Sequence, residues 1–189
     1  MRTLRLALLA AALQTSLPAA AGAAGVAWVA QAAESELAFS AWYEGEELSG
    51  AFGDFRVRVL LDESGSNPAF LEVEVRTGSA DMNDREINEE LSEPEWFDSA
   101  SFPLAFFASS SIEPAAAGYL ASGELRLKGL ARKLDLPLQW NRDGDRARLS
   151  GSIVLSRLGW RIGTGEWAGN ASLADRVEVR YEVTLAPEP

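Results

Sequence analysis

The stretch Arg176-Val177-Glu178-Val179-Arg180-Tyr181-Glu182-Val183-Thr184-Leu185 decides the fold. Every odd position from 177 to 185 is apolar, and every even one is charged or carries a hydroxyl. This is the period of a β-strand with one dry face and one wet face. Leu71, Val73 and Val75 repeat it against Glu72, Glu74 and Arg76. Several such strands in one short chain need a shared dry interior, so the interior is the first place to look for function.

Working outward, a short strand at Val26–Ala30 precedes eight longer candidates: Glu34–Tyr43, Gly50–Asp62, Ala69–Thr77, Leu104–Ile112, Gly118–Lys128, Arg132–Asn141, Arg146–Leu155 and Arg176–Leu185. Turn residues separate most of them, among them Glu44-Gly45, Pro114, Gly129 and Asp143-Gly144. Taking Asp143-Gly144 as a two-residue turn pairs Trp140 with Ala147, Leu138 with Leu149, and Leu136 with Gly151 on an apolar face. Gln139 then faces Arg148 on the polar side, and a slip of one residue would ruin both faces. Pro137 cannot donate to a ladder and is expected at a bulge or a weakly paired position. Between the third and fourth of these strands the period changes. Ile87 and Leu91 lie four apart, Asp84 can cap and Pro94 limits the end, which predicts a short helix over Asp84–Leu91. The segment Arg157–Ala174 is rich in Gly and Trp and is too long for a plain turn.

The N-terminus reads as a signal peptide over residues 1–24. Arg2 and Arg5 precede the apolar run Leu6–Leu13, and small residues allow cleavage after Ala21, Ala23 or Ala24. A buried N-terminal helix is the less favoured alternative. Residues 25–189 then form one exported domain, expected in the periplasm. The chain has 28 acids, 17 bases and a net charge of −11. No Lys/Arg cluster is present, which argues against nucleic acid as a partner. Without cysteine, burial rather than disulfides must hold the fold.

The absence of His and Cys removes Ser-His-Asp triads, Cys nucleophiles, thiolate zinc sites and His- or Cys-ligated haem. Asp81-Met82-Asn83-Asp84 departs from the calcium-loop pattern, with Glu86 at the glycine position and Ser92 at the position of the terminal glutamate. Paired-carboxylate chemistry through Glu166 with Asp54 or Asp81 has no spacing to single it out. Neither an enzyme nor a metal or other cofactor is expected. Apolar binding remains. Small residues on the inward parity (Ala41, Gly123, Ala147, Gly151) favour a lumen, and aromatics such as Phe39, Tyr43, Phe107, Tyr119, Trp140 and Tyr181 share that parity or lie near the mouths. Periodicity alone fits a solid core or a two-sheet sandwich equally well.

The order of landmarks adds to this reading. Ser35-Glu36-Leu37-Ala38-Phe39, Gly50-Ala51-Phe52 with Phe55, Glu95-Trp96-Phe97-Asp98, Phe102-Pro103, Phe107-Ala108-Ser109, and Tyr119 with Gly123, Leu125, Leu127 and Gly129 stand in sequence. From about Trp28 to Leu185 the chain resembles the YceI-like family of exported lipid-binding proteins. The resemblance implies an all-β fold, an eight-stranded antiparallel up-and-down barrel of lipocalin type with a short helix between strands 3 and 4. It implies a polyisoprenoid or isoprenoid quinone in the lumen. The lining would come from Leu37, Phe39, Tyr43, Val57, Val59, Val73, Val75, Phe107, Leu125, Leu127, Leu136, Leu138, Trp140, Leu149, Ile153, Val179, Tyr181 and Val183. Arg157, Trp160, Arg161 and Trp167 would meet the head group at the mouth. Tyr43 stands where the family usually has a histidine. Trp160–Trp167 is similar to a subgroup that occurs with membrane cytochrome b561 proteins, which implies such a partner. The competing reading is an acidic interaction module with a packed core, docking on a membrane redox protein of that type. The sequence leaves oligomeric state open, a dimer included.

Overall fold

The computed structural model describes residues 26–169 and 172–189, so the signal-peptide prediction lies outside the described residues. Eleven strands and one α-helix follow in chain order: β1 (Ala27–Ala30), β2 (Glu36–Tyr43), β3 (Glu46–Phe52), β4 (Phe55–Leu61), β5 (Pro68–Arg76), β6 (Ala80–Asp81), α1 (Arg85–Leu91), β7 (Leu104–Ala115), β8 (Gly118–Leu127), β9 (Leu130–Asp143), β10 (Arg146–Ser156) and β11 (Arg176–Pro187). They make a closed antiparallel barrel of eight staves, because the first three staves are each broken in two. β1 and β2 both pair with β11, β4 and β3 pair with β1 and β2, and β5 and β6 carry the next stave to β7. The β1–β11 pairing closes the ring.

The single strand expected over Gly50–Asp62 is therefore two, β3 and β4. The reason lies in side-chain parity. Phe52 and Phe55 are three apart and would point to opposite faces of a continuous strand. Both line the interior, because the break at Gly53-Asp54 resets the alternation. The Gly53 amide donates to Ser79 O (3.0 Å) and the Arg76 amide to Asp54 O (2.9 Å), so the break keeps its backbone groups satisfied.

The β9–β10 hairpin keeps its predicted faces but not its predicted register. Arg146 pairs with Asp143 and Leu149 with Trp140, so the two-residue loop is Gly144-Asp145. Gly144 supplies the left-handed conformation (φ +61°) that such a loop requires. The shift is two residues, which preserves parity. The β9–β10 ladder stops at Gln139–Ser150, next to Pro137, as expected of a residue with no donor.

One end of the barrel is packed solid. Trp28 (1 % exposed), Val59, Leu61, Leu138 and Leu185 fill it, and Trp28 meets Trp140 edge-on at 6.1 Å. Asp62–Asn67 forms a loop over this end. Trp140 Nε1 donates to Ser66 O (3.1 Å), Tyr119 Oη to Asn67 Oδ1 (2.7 Å), and Arg142 to Gly65 O. Asp62 organises that loop by accepting from Ser64 Oγ (2.6 Å), Ser66 N (3.1 Å) and Asn67 Nδ2 (2.8 Å). These donors, the Ser64 hydroxyl first, hold its carboxyl well below the usual carboxylate range. A carboxyl lowered on folding stabilises above its unfolded pKa of about 3.9, and that contribution disappears as pH falls through the folded value. The urea midpoint of the native chain should therefore exceed that of Asp62→Asn at pH 7, with the gap narrowing below about pH 4. A gap independent of pH would remove the charge from this account.

At the other end α1 lies beside the mouth. Asp84 caps it as predicted, accepting from Glu86 N (2.9 Å) and Ile87 N (3.2 Å). Leu91 packs with Phe39 and Ala80. Among the described residues no helix is long and apolar enough to cross a membrane.

Candidate ligand-binding cavity

Above the packed end the inner faces of the staves do not meet. They enclose a cavity of about 190 Å³ with almost wholly apolar walls. Val57 (β4), Val73 and Val75 (β5), Phe107 (β7), Leu125 and Leu127 (β8), Leu136 (β9), Leu149 and Ile153 (β10), Val179, Tyr181 and Val183 (β11), and Leu37 and Phe39 (β2) all line it. Several of these, including Val73, Leu125, Leu136 and Val179, point inward yet stay only half-buried. Apolar side chains facing unfilled space mark a binding cavity more often than a packing defect.

Four predicted lining residues lie elsewhere. Val59 and Leu138 belong to the packed end, where the inward parity is shared but the space is filled. Trp140 is held at that end by its bond to Ser66 O. Tyr43 sits beyond the rim, at the end of the β2–β3 hairpin. Conversely, Phe52, Phe55, Phe97, Leu155, Ile162 and Val177 line the cavity without having been predicted. Leu155 and Val177 carried the inward parity. Phe97 and Ile162 come from loops, where no period reports direction.

Gly123 and Gly151 do not hold the lumen open. A Cβ on Gly123 would stand 2.7 Å from Phe107 Cζ, and one on Gly151 would stand 2.5 Å from Tyr181 Oη and 2.8 Å from its Cε2. Each glycine seats a ring. Tyr181 crosses Gly151, its neighbour on β10, and its hydroxyl donates to Pro137 O, an acceptor lying beyond the end of the β9–β10 ladder. Burial pushes the Tyr181 phenol up from its usual value. Gly151→Ala should displace the ring and lower unfolding stability by about 1–3 kcal/mol. The added methyl would also meet the backbone carbonyl of Pro137, so a denaturant midpoint unchanged from the native chain would show that both the ring and the β9 backbone have room to move.

Among the described residues, three hydroxyl or charged side chains reach the cavity wall: Thr77, Tyr181 and Arg157. Thr77 Oγ1 donates to Phe102 O (2.8 Å), and Tyr181 is engaged as described. Arg157 is 3 % exposed. Its Nε donates to Ala174 O (2.9 Å), Nη1 to Ile162 O (3.1 Å) and Gly163 O (2.7 Å), and Nη2 to Trp167 O (2.6 Å), Leu173 O (3.0 Å) and Gly169 O (3.4 Å). Burial lowers its pKa and the nearby Asp175 charge partly opposes the shift. The five N–H groups of a guanidinium are thus spent on the Ile162–Ala174 loop. Arg157, expected to meet a head group at the mouth, therefore has no donor left for one.

That loop roofs the cavity. Trp160 is buried in the roof, with the Arg132 guanidinium 5.5 Å from its ring. Arg161 adopts a left-handed conformation (φ +57°) and points to solvent. Lys128 Nζ ties its carbonyl (2.7 Å) to that of Pro94 (2.8 Å), joining the roof to the segment after α1. Beyond the roof lies an outer chamber of about 260 Å³, sharing Arg157, Ile162 and Val177 with the inner cavity. Trp167 lines this chamber with Tyr43, Trp96, Met82 and Ile87. So of the four residues assigned to the mouth, Arg157 and Trp160 border the lumen, Trp167 borders the outer chamber and Arg161 stands outside both. Among the described residues no group of three or more carboxylates converges as a metal site would.

Known proteins share this architecture. BcnA from Burkholderia cenocepacia superposes with a TM-score of 0.77 at 26 % identity, covering 82 % of this chain and 98 % of that one. A polyisoprenoid binding domain from Saccharophagus degradans superposes at 0.70 with 13 % identity, covering 86 % and 99 %, a likeness of fold alone. In sequence, a UPF0312 protein of Yersinia enterocolitica is 32 % identical over 89 residues, 47 % of this chain and 46 % of that protein. The YceI protein of Salmonella arizonae is 30 % identical over 98 residues, 52 % and 51 %. The chain thus spans about half the length of the curated relatives it matches. The model of the YceI-like domain matches residues 28–185, nearly all of the barrel just described, and the chain belongs to the YceI-like domain family.

Proposed function

We propose that this protein is an exported, periplasmic carrier or store for an isoprenoid lipid, a polyprenyl chain or isoprenoid quinone, held in the barrel lumen without catalysis. One observation carries the reading. The cavity wall is hydrocarbon, and each polar side chain reaching it is already bonded to backbone carbonyls. Such a space offers nothing to a polar guest and roughly 25 cal/mol per Å² of apolar area to a greasy one. The open lumen weighs against the packed-core docking module. A membrane partner of the cytochrome b561 type rests on the resemblance of Trp160–Trp167 and belongs to the proposal as its donor or acceptor. Organic-solvent extraction of the purified protein followed by mass spectrometry should release an isoprenoid lipid, and added prenyl alcohol or quinone should bind. No lipid in the extract and no binding of either compound would overturn the carrier reading.

A further inference from the structure

The outer chamber has a chemistry of its own. Three aromatic rings surround it, with Trp96 and Trp167 centroids 5.8 Å apart and Tyr43 6.5 Å from Trp167. One carboxylate, Glu90, joins the wall, and Trp96 Nε1 donates to its Oε1 (3.1 Å). That bond fixes the indole and leaves the other carboxylate oxygen without a partner among the described residues. Aromatic faces backed by a carboxylate attract a positive nitrogen.

The surroundings carry the same sign. Asp81–Asp98, beside the chamber, holds eight acids and one base, Arg85, and Arg85 is paired with Glu89 at 2.8 Å. Glu166 lies next to Trp167. Arg161 stands outside the chamber in solvent, and two other positive groups at this end are committed. Lys128 Nζ lies on two carbonyls, and Arg157, the one cation in the chamber wall among the described residues, is turned onto six carbonyls with Asp175 close by. An anionic head placed here would meet carboxylates and no free donor from either group.

We propose that the outer chamber is a head-group site for a cationic nitrogen, an amine or quaternary ammonium, and that it disfavours phosphate. This deepens the lipid-binding reading and rests on it, selecting a prenyl chain with a nitrogen-bearing head over a quinone: the tail occupies the lumen and the head stays among Tyr43, Trp96, Trp167 and Glu90. The shared wall at Arg157, Ile162 and Val177 puts the two spaces in succession.

Three amphiphiles with the same prenyl tail test it by titration below their micelle concentrations: the prenyltrimethylammonium, the prenyl alcohol and the prenyl phosphate. The ammonium should bind the native protein about tenfold more tightly than the alcohol, with the phosphate weakest. Trp167→Leu keeps the wall apolar, and Glu90→Gln keeps an acceptor for Trp96. Each should cut the ratio of ammonium to alcohol affinity to below about threefold. Equal binding of the three, or a preference for phosphate, would overturn the head-group site and leave the lipid reading standing. A preference that survives both substitutions would also overturn it, since overall acidity would then suffice. Failure of all three amphiphiles to bind would remove the lipid reading and this site with it.

Discussion

Arg157→Met should cost about 3 kcal/mol or more of unfolding stability and expose the roof of the barrel to protease. The side chain lies almost fully buried, and six carbonyls between Ile162 and Ala174 accept from it. Methionine fills a similar volume but donates nothing. Each carbonyl left dry and unpaired costs about 1–3 kcal/mol, so the loop would move to find water rather than accept the full penalty. The barrel ladders do not depend on Arg157, so far-ultraviolet circular dichroism should persist while cleavage within 158–169 accelerates. Arg157→Lys should recover less than half of the loss, because an ammonium has three donors in place of five. A chemical-denaturation midpoint within error of the native one would show that backbone contacts alone hold the roof.

Ile153→Trp should abolish ligand uptake with little change in stability. Ile153 pairs with Val179 across β10 and β11, and both line the cavity. An indole at 153 extends into space that is empty without a guest, so it need not displace packed neighbours. Filling unoccupied apolar volume is neutral or mildly stabilising, within about 1 kcal/mol. A tail would lose the volume it needs, and affinity for a prenyl alcohol should fall at least about 100-fold, which corresponds to about 2.8 kcal/mol. Equal affinity for the native and substituted chains, with the thermal midpoint preserved, would place the guest outside the lumen.

The barrel was legible because alternation is a strong signal where one face is dry. β5, β8 and β10 stand within a residue of their predicted bounds, and the β9–β10 faces came out right even with the register moved by two. Parity cannot report a break that resets it, so Gly50–Asp62 reads as one strand although Phe52 and Phe55 both face inward. It also cannot report depth along a stave. Val59 and Val57 share a face, yet one is packed at the closed end and the other borders the cavity. The role of Arg157 was illegible for a different reason. Its partners are backbone carbonyls, which every sequence supplies and none advertises. The small residues misled in an instructive way, since Gly123 and Gly151 give their space to rings rather than to a ligand.

Trp28 and its neighbours make this tube blind at one end. A vessel with a single doorway is no conduit. Whatever enters must back out the way it came, last part in being the first to leave. The portion nearest the doorway is then the part that a recipient touches first, and no second molecule can push the occupant through from behind. Loading and unloading become separate visits to one portal.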